Sequence, residues 1–382
     1  MQENRIVKIG IITYWKSSDN YGEQLQNYAL QEYLRGLGHE PFLIRYDYDN
    51  DTIYGSRPLH IRLLRACNPA RLIKHFKVKR YNKKLRMDRT LHPRGFETFR
   101  EQYLTMSIVY PSINDLRKDP PEADIYVTGS DQVWNTYAGG LTEMRNRLSA
   151  FFLDFGNKDV RRVSYAASWG RDMVPEDEQV FIRPLLARFD RISVRESSGI
   201  DLCCQMGRED AVPALDPVLL HDAQKYRDLY PGKACAPDKK YLLFYYLNND
   251  GSYNIRVVFD WAASMDLQVV YVTDDWHDDH KRSFPGVTEW VGLVDNAEYV
   301  VTNSYHCCLF ALIFGKRFGI IRRKGEYQGM NTRMDSLFKT LGITPRYIEG
   351  DDLGILERPA EVLDPKKARG MYPPEDIIVP GA

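Results

Sequence analysis

Short apolar runs alternate along the chain with stretches whose apolar residues recur at helical spacing. Ile6–Thr13 (IVKIGIIT) is an apolar run between polar residues and predicts a buried strand. A polar loop, Ser17–Gly22, follows it. From Glu23 to Leu37 the apolar positions fall at 25, 29, 30, 33, 34 and 37, which predicts an amphipathic helix stopped by Gly38. Glu40–Arg45 is a second strand. Strand, loop, helix, glycine, strand is a βαβ opening of a parallel sheet.

The rhythm breaks over residues 57–100 and then resumes. Strands are expected at Asp124–Thr128, Arg162–Ala167, Arg191–Val194 and Ala211–Leu215, and helices at Glu176–Arg188 and Ser197–Met206. Tyr230–Lys240 (YPGKACAPDKK) has linker composition. A second series follows it. Its strands are Tyr241–Leu247, Gln268–Thr273, Ala297–Thr302 and Arg317–Ile321; its helices span 253–264, 305–314 and 331–341. The expected fold class is α/β, with two Rossmann-like domains (1–229 and 241–349) and a cleft between them. Residues 350–382, acidic and proline-rich, read as an irregular tail or short helix. There is no GxGxxG, so no dinucleotide site is indicated. The pairing of two such halves points to a glycosyltransferase-like architecture, with substrates at the carboxyl ends of the strands.

Composition narrows the function. A chain of 382 residues suits two domains at about 150 residues each. Lys plus Arg and Asp plus Glu both number 52. That balance argues against a general nucleic-acid binder. It conceals a basic segment, however: residues 57–100 carry fourteen Lys and Arg against Asp88 and Glu97, about +12. The segment reads either as a solvated helical hairpin or as an arm for an anionic membrane surface or lipid pyrophosphate. Four of the six cysteines form two adjacent pairs and there is no CxxC, which fits a reduced, cytoplasmic protein. The first fifteen residues contain no signal-peptide h-region. The longest dense apolar stretch, 307–315, falls well short of the roughly 18 residues that span a membrane.

The strongest local signal is YVVTNSYHCCLFALIF, 299–314. A strand ends at Thr302, Asn303 and Ser304 suit a helix cap, and His306 sits in the first helical turn. Free N–H groups at that turn favour an anion, beside which a histidine serves as a general acid. The competing reading is a structural histidine at an interface. Arg195, after the strand Arg191–Val194, has a guanidinium suited to phosphate or carboxylate, or else pairs with Glu196. Asn20 and Gln24, with Gly22 allowing close backbone approach, suit sugar hydroxyls as well as ordinary capping. Gly129-Ser130-Asp131-Gln132-Val133-Trp134-Asn135 is a second strand-end loop. Its Trp134 reads as a sugar-stacking surface or as a core residue. Asp274–His280 holds four carboxylates and two imidazoles in one loop. Consecutive ligands converge poorly on one ion, so no metal site is assigned. The cysteine pairs read as small core residues.

Taken together, NYGEQLQNYALQEYL (20–34), DIYVTGSDQVWN (124–135), FFLDFG (151–156), VSYAASWG (163–170), ISVRESSG (192–199), ALDPVLL (214–220) and the 299–321 stretch resemble the polysaccharide pyruvyl transferase family. The resemblance spans about residues 9–342. It implies two Rossmann-like domains of glycosyltransferase-B type. It also implies transfer of pyruvate from phosphoenolpyruvate, a co-substrate, onto two hydroxyls of a sugar in a surface polysaccharide or its precursor, giving a cyclic ketal. No further cofactor is implied. His306 matches the motif histidine, and Arg195 matches an arginine near phosphoenolpyruvate. Ser304 and Tyr305 would flank the donor. Many relatives carry glycine where Cys307 stands, and some carry arginine where Ser304 stands. Arg322, Arg323, Lys324 and Arg333 are local candidates for the missing cation. Asn20, Tyr21, Gly22, Gln24, Gly129, Ser130 and Trp134 would face the acceptor, free or lipid-linked, and Asp131 would deprotonate a hydroxyl. The alternatives are a nucleotide-sugar glycosyltransferase of the same fold and a non-catalytic sugar-binding relative.

Overall fold

The computed structural model describes residues 5–49, 51, 80, 83–84, 87–136, 140–230, 236–248, 251–274, 279–324, 331–361, 363–364, 370 and 373–379. Most of the basic segment 57–86, much of the acidic loop 274–280 and the middle of the expected linker lie outside them. The first unit comprises β1 (Lys8–Ile12), α1 (Tyr21–Gly36), β2 (Glu40–Tyr46), α2 (Phe96–Tyr103), β3 (Met106–Tyr110), α3 (Ile113–Lys118), β4 (Ile125–Thr128) and α4 (Gly140–Phe151). It continues through β5 (Arg161–Ala167), α5 (Glu176–Leu186), β6 (Arg191–Val194), α6 (Ser197–Gln205), β7 (Val212–Pro213), a 3-10 turn (Pro217–Leu220) and α7 (Ala223–Arg227). Its seven strands form one sheet in the order β3-β2-β1-β4-β5-β6-β7, and every pairing is parallel.

The second unit comprises β8 (Tyr241–Tyr246), α8 (Arg256–Ser264), β9 (Gln268–Thr273), α9 (Val287–Asn296), β10 (Tyr299–Thr302), α10 (Tyr305–Ile313), β11 (Arg317–Ile320) and α11 (Asn331–Leu341). Its sheet runs β11-β10-β8-β9, also parallel. Central strands such as YLLFYY of β8 are buried throughout, because helices cover both faces of a parallel sheet. That is why they read as unbroken apolar runs. The protein therefore has an α/β fold of two Rossmann-like units with parallel sheets.

Several features depart from the sequence expectations. α1 begins at Tyr21, because Asn20 Oδ1 accepts the Glu23 N–H at 3.3 Å and caps the helix there. β3 is an edge strand that leaves Ile108 and Val109 exposed, so it lacks the pattern of a buried strand. α9, unforeseen, carries the fully buried Trp290. The short helix allowed for in the tail is present: α12 (Pro374–Ile378) buries Ile377 and Ile378 in the core of the first unit. Tyr33 donates to Glu375 across that contact at 2.7 Å.

The units meet through aromatic and basic side chains. Tyr21 stacks on Trp290 at 5.1 Å between ring centroids and 5° between planes, and it donates to the Pro285 carbonyl at 2.8 Å. Arg94 donates to the Thr273 carbonyl at 3.0 Å, and Asp88 pairs with Arg282 at 2.9 Å. The described end of the basic segment thus straps the first unit to the second. Tyr21→Ala removes a fully buried ring and its hydrogen bond. It should cost about 3–5 kcal/mol of unfolding free energy, measured by urea denaturation.

Candidate functional site

Both sheets turn the carboxyl ends of their strands toward one cleft. A cavity of about 230 Å³ lies there, lined by Tyr14, Asn20, Glu23, Asp131, Gln132, Leu247, Asn248, Ser304, Tyr305, His306, Arg323 and Arg333. Residues after β1, β4, β8 and β10 meet in it, which is where ligands bind in open α/β sheets.

The site is built around a buried carboxylate. Asp216, following β7, accepts from Arg195 Nη1 at 2.7 Å, from Ser130 Oγ at 3.1 Å and from the Val218 N–H at 3.1 Å. His306 Nε2 from the other unit lies 3.4 Å from the same oxygen that Arg195 reaches. The spacing is that of an ion-pair contact, and no well-aligned hydrogen bond forms there. Burial alone would raise the Asp216 pKa, but His306 and Arg195 win and hold it well below the usual carboxylate range. Arg195 does not pair with Glu196. Glu196 instead accepts the Trp169 and Gly170 N–H groups at 2.6 and 3.0 Å.

Two guanidiniums flank Asp131, and one of them, Arg333, lines the cavity. Arg195 lies 4.6 Å and Arg333 5.7 Å from the Tyr305 ring centroid. Asp131 stands between them, 3.5 Å from Arg195 and 3.9 Å from Arg333. Ser336 Oγ accepts the Ser197 N–H at 3.1 Å, which docks α11, and with it Arg333, against the first unit. The Nε atoms of Arg195 and Arg333 are buried with no hydrogen-bond partner among the described residues. Burial and the neighbouring Arg195 bring Arg333 down to about 10, with Asp131 only partly opposing them. Each guanidinium thus keeps one buried N–H without a partner among the described residues, and Arg333 and Arg323 bring positive charge to the cavity wall.

Of the cations expected around 322–324, only Arg323 lines the cavity. Arg322 lies over the Tyr347 ring at 3.4 Å and pairs with Asp335 at 3.6 Å. Lys324 donates to the Ser252 carbonyl at 3.2 Å. Ser304 caps α10, its Oγ accepting the Cys307 N–H at 3.4 Å. Other N–H groups of the first helical turn have no intrahelical partner.

On the expected acceptor side, Asn20 lines the cavity. Tyr21 lies in the contact between the units. Gln24 is fully buried and donates to the Trp15 carbonyl at 2.8 Å. Trp134 is fully buried and stacks on Phe152 at 4.9 Å, which leaves no free face for a sugar. Ser130 is spent on Asp216, and Gly129 packs against the Tyr165 carbonyl. Gly22 serves His306: a Cβ there would come within 2.2 Å of the imidazole. Cys307 and Cys308 are core residues, and burial pushes the Cys307 thiol up to about 12. Among the described residues no His, Cys, Asp and Glu group is placed to hold a metal.

Sequence reasoning missed Glu23. It lines the cavity yet is 5% exposed. Burial, with Asp131 and Asp19 nearby, raises its carboxyl to about 8, against the Ser17 N–H bond and Arg100. The signal was a glutamate in the first turn of the helix whose opening was singled out.

The fold and site define a two-unit α/β protein of glycosyltransferase-B type with a cationic cavity between the units. Solved structures agree on the fold. A Listeria monocytogenes protein described as a UDP-N-acetylglucosamine 2-epimerase is 10% identical with a TM-score of 0.54, covering 97% of this chain and 96% of its own. Another UDP-N-acetylglucosamine 2-epimerase is 10% identical with a TM-score of 0.51, covering 98% and 89%. No curated protein matches the sequence. The profile of the polysaccharide pyruvyl transferase family matches residues 20–325. The chain belongs to that family, a family of transferases.

Two stability measurements check the electrostatics. Asp216→Asn leaves Arg195 buried without its closest counter-charge and should cost about 3–5 kcal/mol at neutral pH. The difference from wild type should shrink as pH falls below about 4, because the wild-type carboxylate is then protonated in the unfolded chain. Glu23 works in the opposite sense. Between about 4.5 and about 8 the unfolded chain gives up a proton that the folded protein keeps, so stability falls as pH rises. Glu23→Gln should remove that slope and melt higher than wild type at pH 8 by differential scanning calorimetry.

Proposed function

We propose that the protein transfers pyruvate from phosphoenolpyruvate to two hydroxyls of a sugar, closing a cyclic ketal on a surface polysaccharide or its precursor. The observation that carries this reading is that Arg323 and Arg333 line the cavity together with His306, while buried Arg195 stands behind Asp131 at 3.5 Å. Phosphoenolpyruvate carries a phosphate and a carboxylate, and the two lining guanidiniums, Arg323 and Arg333, suit two anionic groups. Arg333, helped by Arg323, takes the part for which relatives use an arginine at the position of Ser304.

In this reading Arg323, Arg333 and the first turn of α10 hold the donor. His306, steadied by Asp216 and the close backbone at Gly22, gives a proton to the methylene carbon as a sugar hydroxyl adds to the enol carbon. Phosphate then leaves, and the second hydroxyl closes the ring. Asn20 faces the acceptor. Asp131 keeps Arg195 and Arg333 in place. Contact of the basic segment 57–100 with an anionic membrane belongs to the same proposal. Liposome binding at low and moderate salt reads it.

His306→Ala should lower phosphate release from phosphoenolpyruvate by ~10²–10⁴-fold while calorimetric donor affinity changes less than about threefold. Arg333→Ala should instead weaken donor binding itself. Undiminished turnover in His306→Ala would sink its role. Nucleotide release from a nucleotide sugar, with none of phosphate from phosphoenolpyruvate, would move the assignment to glycosyl transfer. Sugar binding without turnover on any donor would make the chain a binding relative.

A further inference from the structure

The transfer just described needs a base as well as an acid. The first attacking hydroxyl must lose its proton when the methylene gains one. Asp131, the candidate from sequence, is poorly available. Its Oδ1 faces both Arg195 and Arg333 and also accepts the Gln132 N–H at 2.8 Å.

We propose that Glu23 is the general base that takes the proton of the first sugar hydroxyl, an inference that rests on the pyruvyl-transfer reading. Glu23 lines the same cavity as His306 and Asn20. Its Oε1 is fixed by the Ser17 N–H at 2.8 Å and by Gln24 Nε2 at 3.2 Å. Among the described residues, no hydrogen bond reaches Oε2. One oxygen therefore orients the carboxyl, and the other is available to a ligand. Adjacent Gly22 packs against the His306 ring, so base and acid enter the cavity side by side. The charged and titratable groups facing Glu23 are Asp19 in the preceding loop, Asp131 after β4, Arg100 on α2, Tyr48 after β2 and His306 on α10.

Burial raises this carboxyl to about 8, so its ionised form holds a proton ~10³-fold more tightly than an ordinary carboxylate. Such a base is poised near the working pH. In its neutral form the carboxyl does not repel an anionic donor. The step balances. The hydroxyl O–H bond breaks, its proton goes to Glu23 Oε2, and the oxygen forms a bond to the enol carbon. The enol π pair takes the proton of His306 and becomes the C–H bond of a methyl group. The bond to phosphate then breaks with its electron pair on phosphate. The second hydroxyl bonds to the same carbon and gives its proton to the departing phosphate. Proton return from Glu23 to His306 through solvent resets both groups.

The test is the pH dependence of phosphate release between pH 6 and pH 10, with phosphoenolpyruvate and an acceptor that wild type turns over. Because the step needs Glu23 ionised and His306 protonated, wild-type kcat/KM should follow a bell-shaped pH profile with one break near 8. Glu23→Gln should lose that break and ~10²–10⁴-fold in rate, with donor affinity by calorimetry within about threefold and a melting temperature no lower than wild type. Glu23→Asp should restore a break at reduced rate, which a purely structural role would not produce. A break near 8 that persists in Glu23→Gln, or a rate within tenfold of wild type, overturns the role of Glu23 and leaves the transferase reading standing. Absence of both donor binding and phosphate release in wild type overturns the transferase reading, and this inference with it.

Discussion

The Asp216 carboxylate is the interaction on which the site depends. It is fully buried, and it faces Arg195 from its own unit and His306 from the other. A buried charge is tolerable only when paired and hydrogen-bonded. Asp216 meets that condition through Arg195, Ser130 and the Val218 N–H. The same oxygen that holds Arg195 in place positions the imidazole across the cleft. The closed arrangement of the two units and the placement of the reactive side chains are therefore one structural problem with one solution.

Around that centre, burial acts on two carboxyls with opposite results. Asp216 has cations at contact distance and stays ionised far below its ordinary range. Glu23, hydrogen-bonded but facing Asp131 and Asp19, is pushed upward. Two carboxyls of one site are thus driven apart by their different neighbours. Arg195 and Arg333 add positive charge fixed by Tyr305 and Asp131, each keeping one buried N–H without a partner among the described residues. The cavity is organised before any ligand arrives, so little reorganisation is needed when negative charge enters.

The legible parts of the fold were those whose pattern follows directly from burial. β1, β4, β8 and β10 appear as apolar runs because helices cover both faces of their sheets. α1 and α10 carried their caps in the sequence. β3 was not legible, because an edge strand with exposed Ile108 and Val109 has no buried face to pattern it. α9 was overlooked, although a glycine cap and Glu289 mark its start and its apolar residues recur at helical spacing. At the site, Arg195, His306 and Arg333 stood where strand ends and helix starts had put them. Trp134, Tyr21 and Gln24 carried the right chemistry for sugar contact but lie in the core. A residue's type in a loop motif does not say which way it packs. Glu23 was hidden for the converse reason: only the burial of that first turn separates it from an ordinary helix-start glutamate.

The central claim is that this cationic cavity hands pyruvate to a sugar. The most direct measurement is mass spectrometry of sugar acceptors, including nucleotide-linked and lipid-linked ones, after incubation with the protein and phosphoenolpyruvate. The account predicts an acceptor heavier by one pyruvic acid less one water, formed with one equivalent of phosphate and resistant to borohydride as a ketal is. An acceptor that instead gains a whole sugar from a nucleotide sugar, with phosphoenolpyruvate left intact, would contradict it.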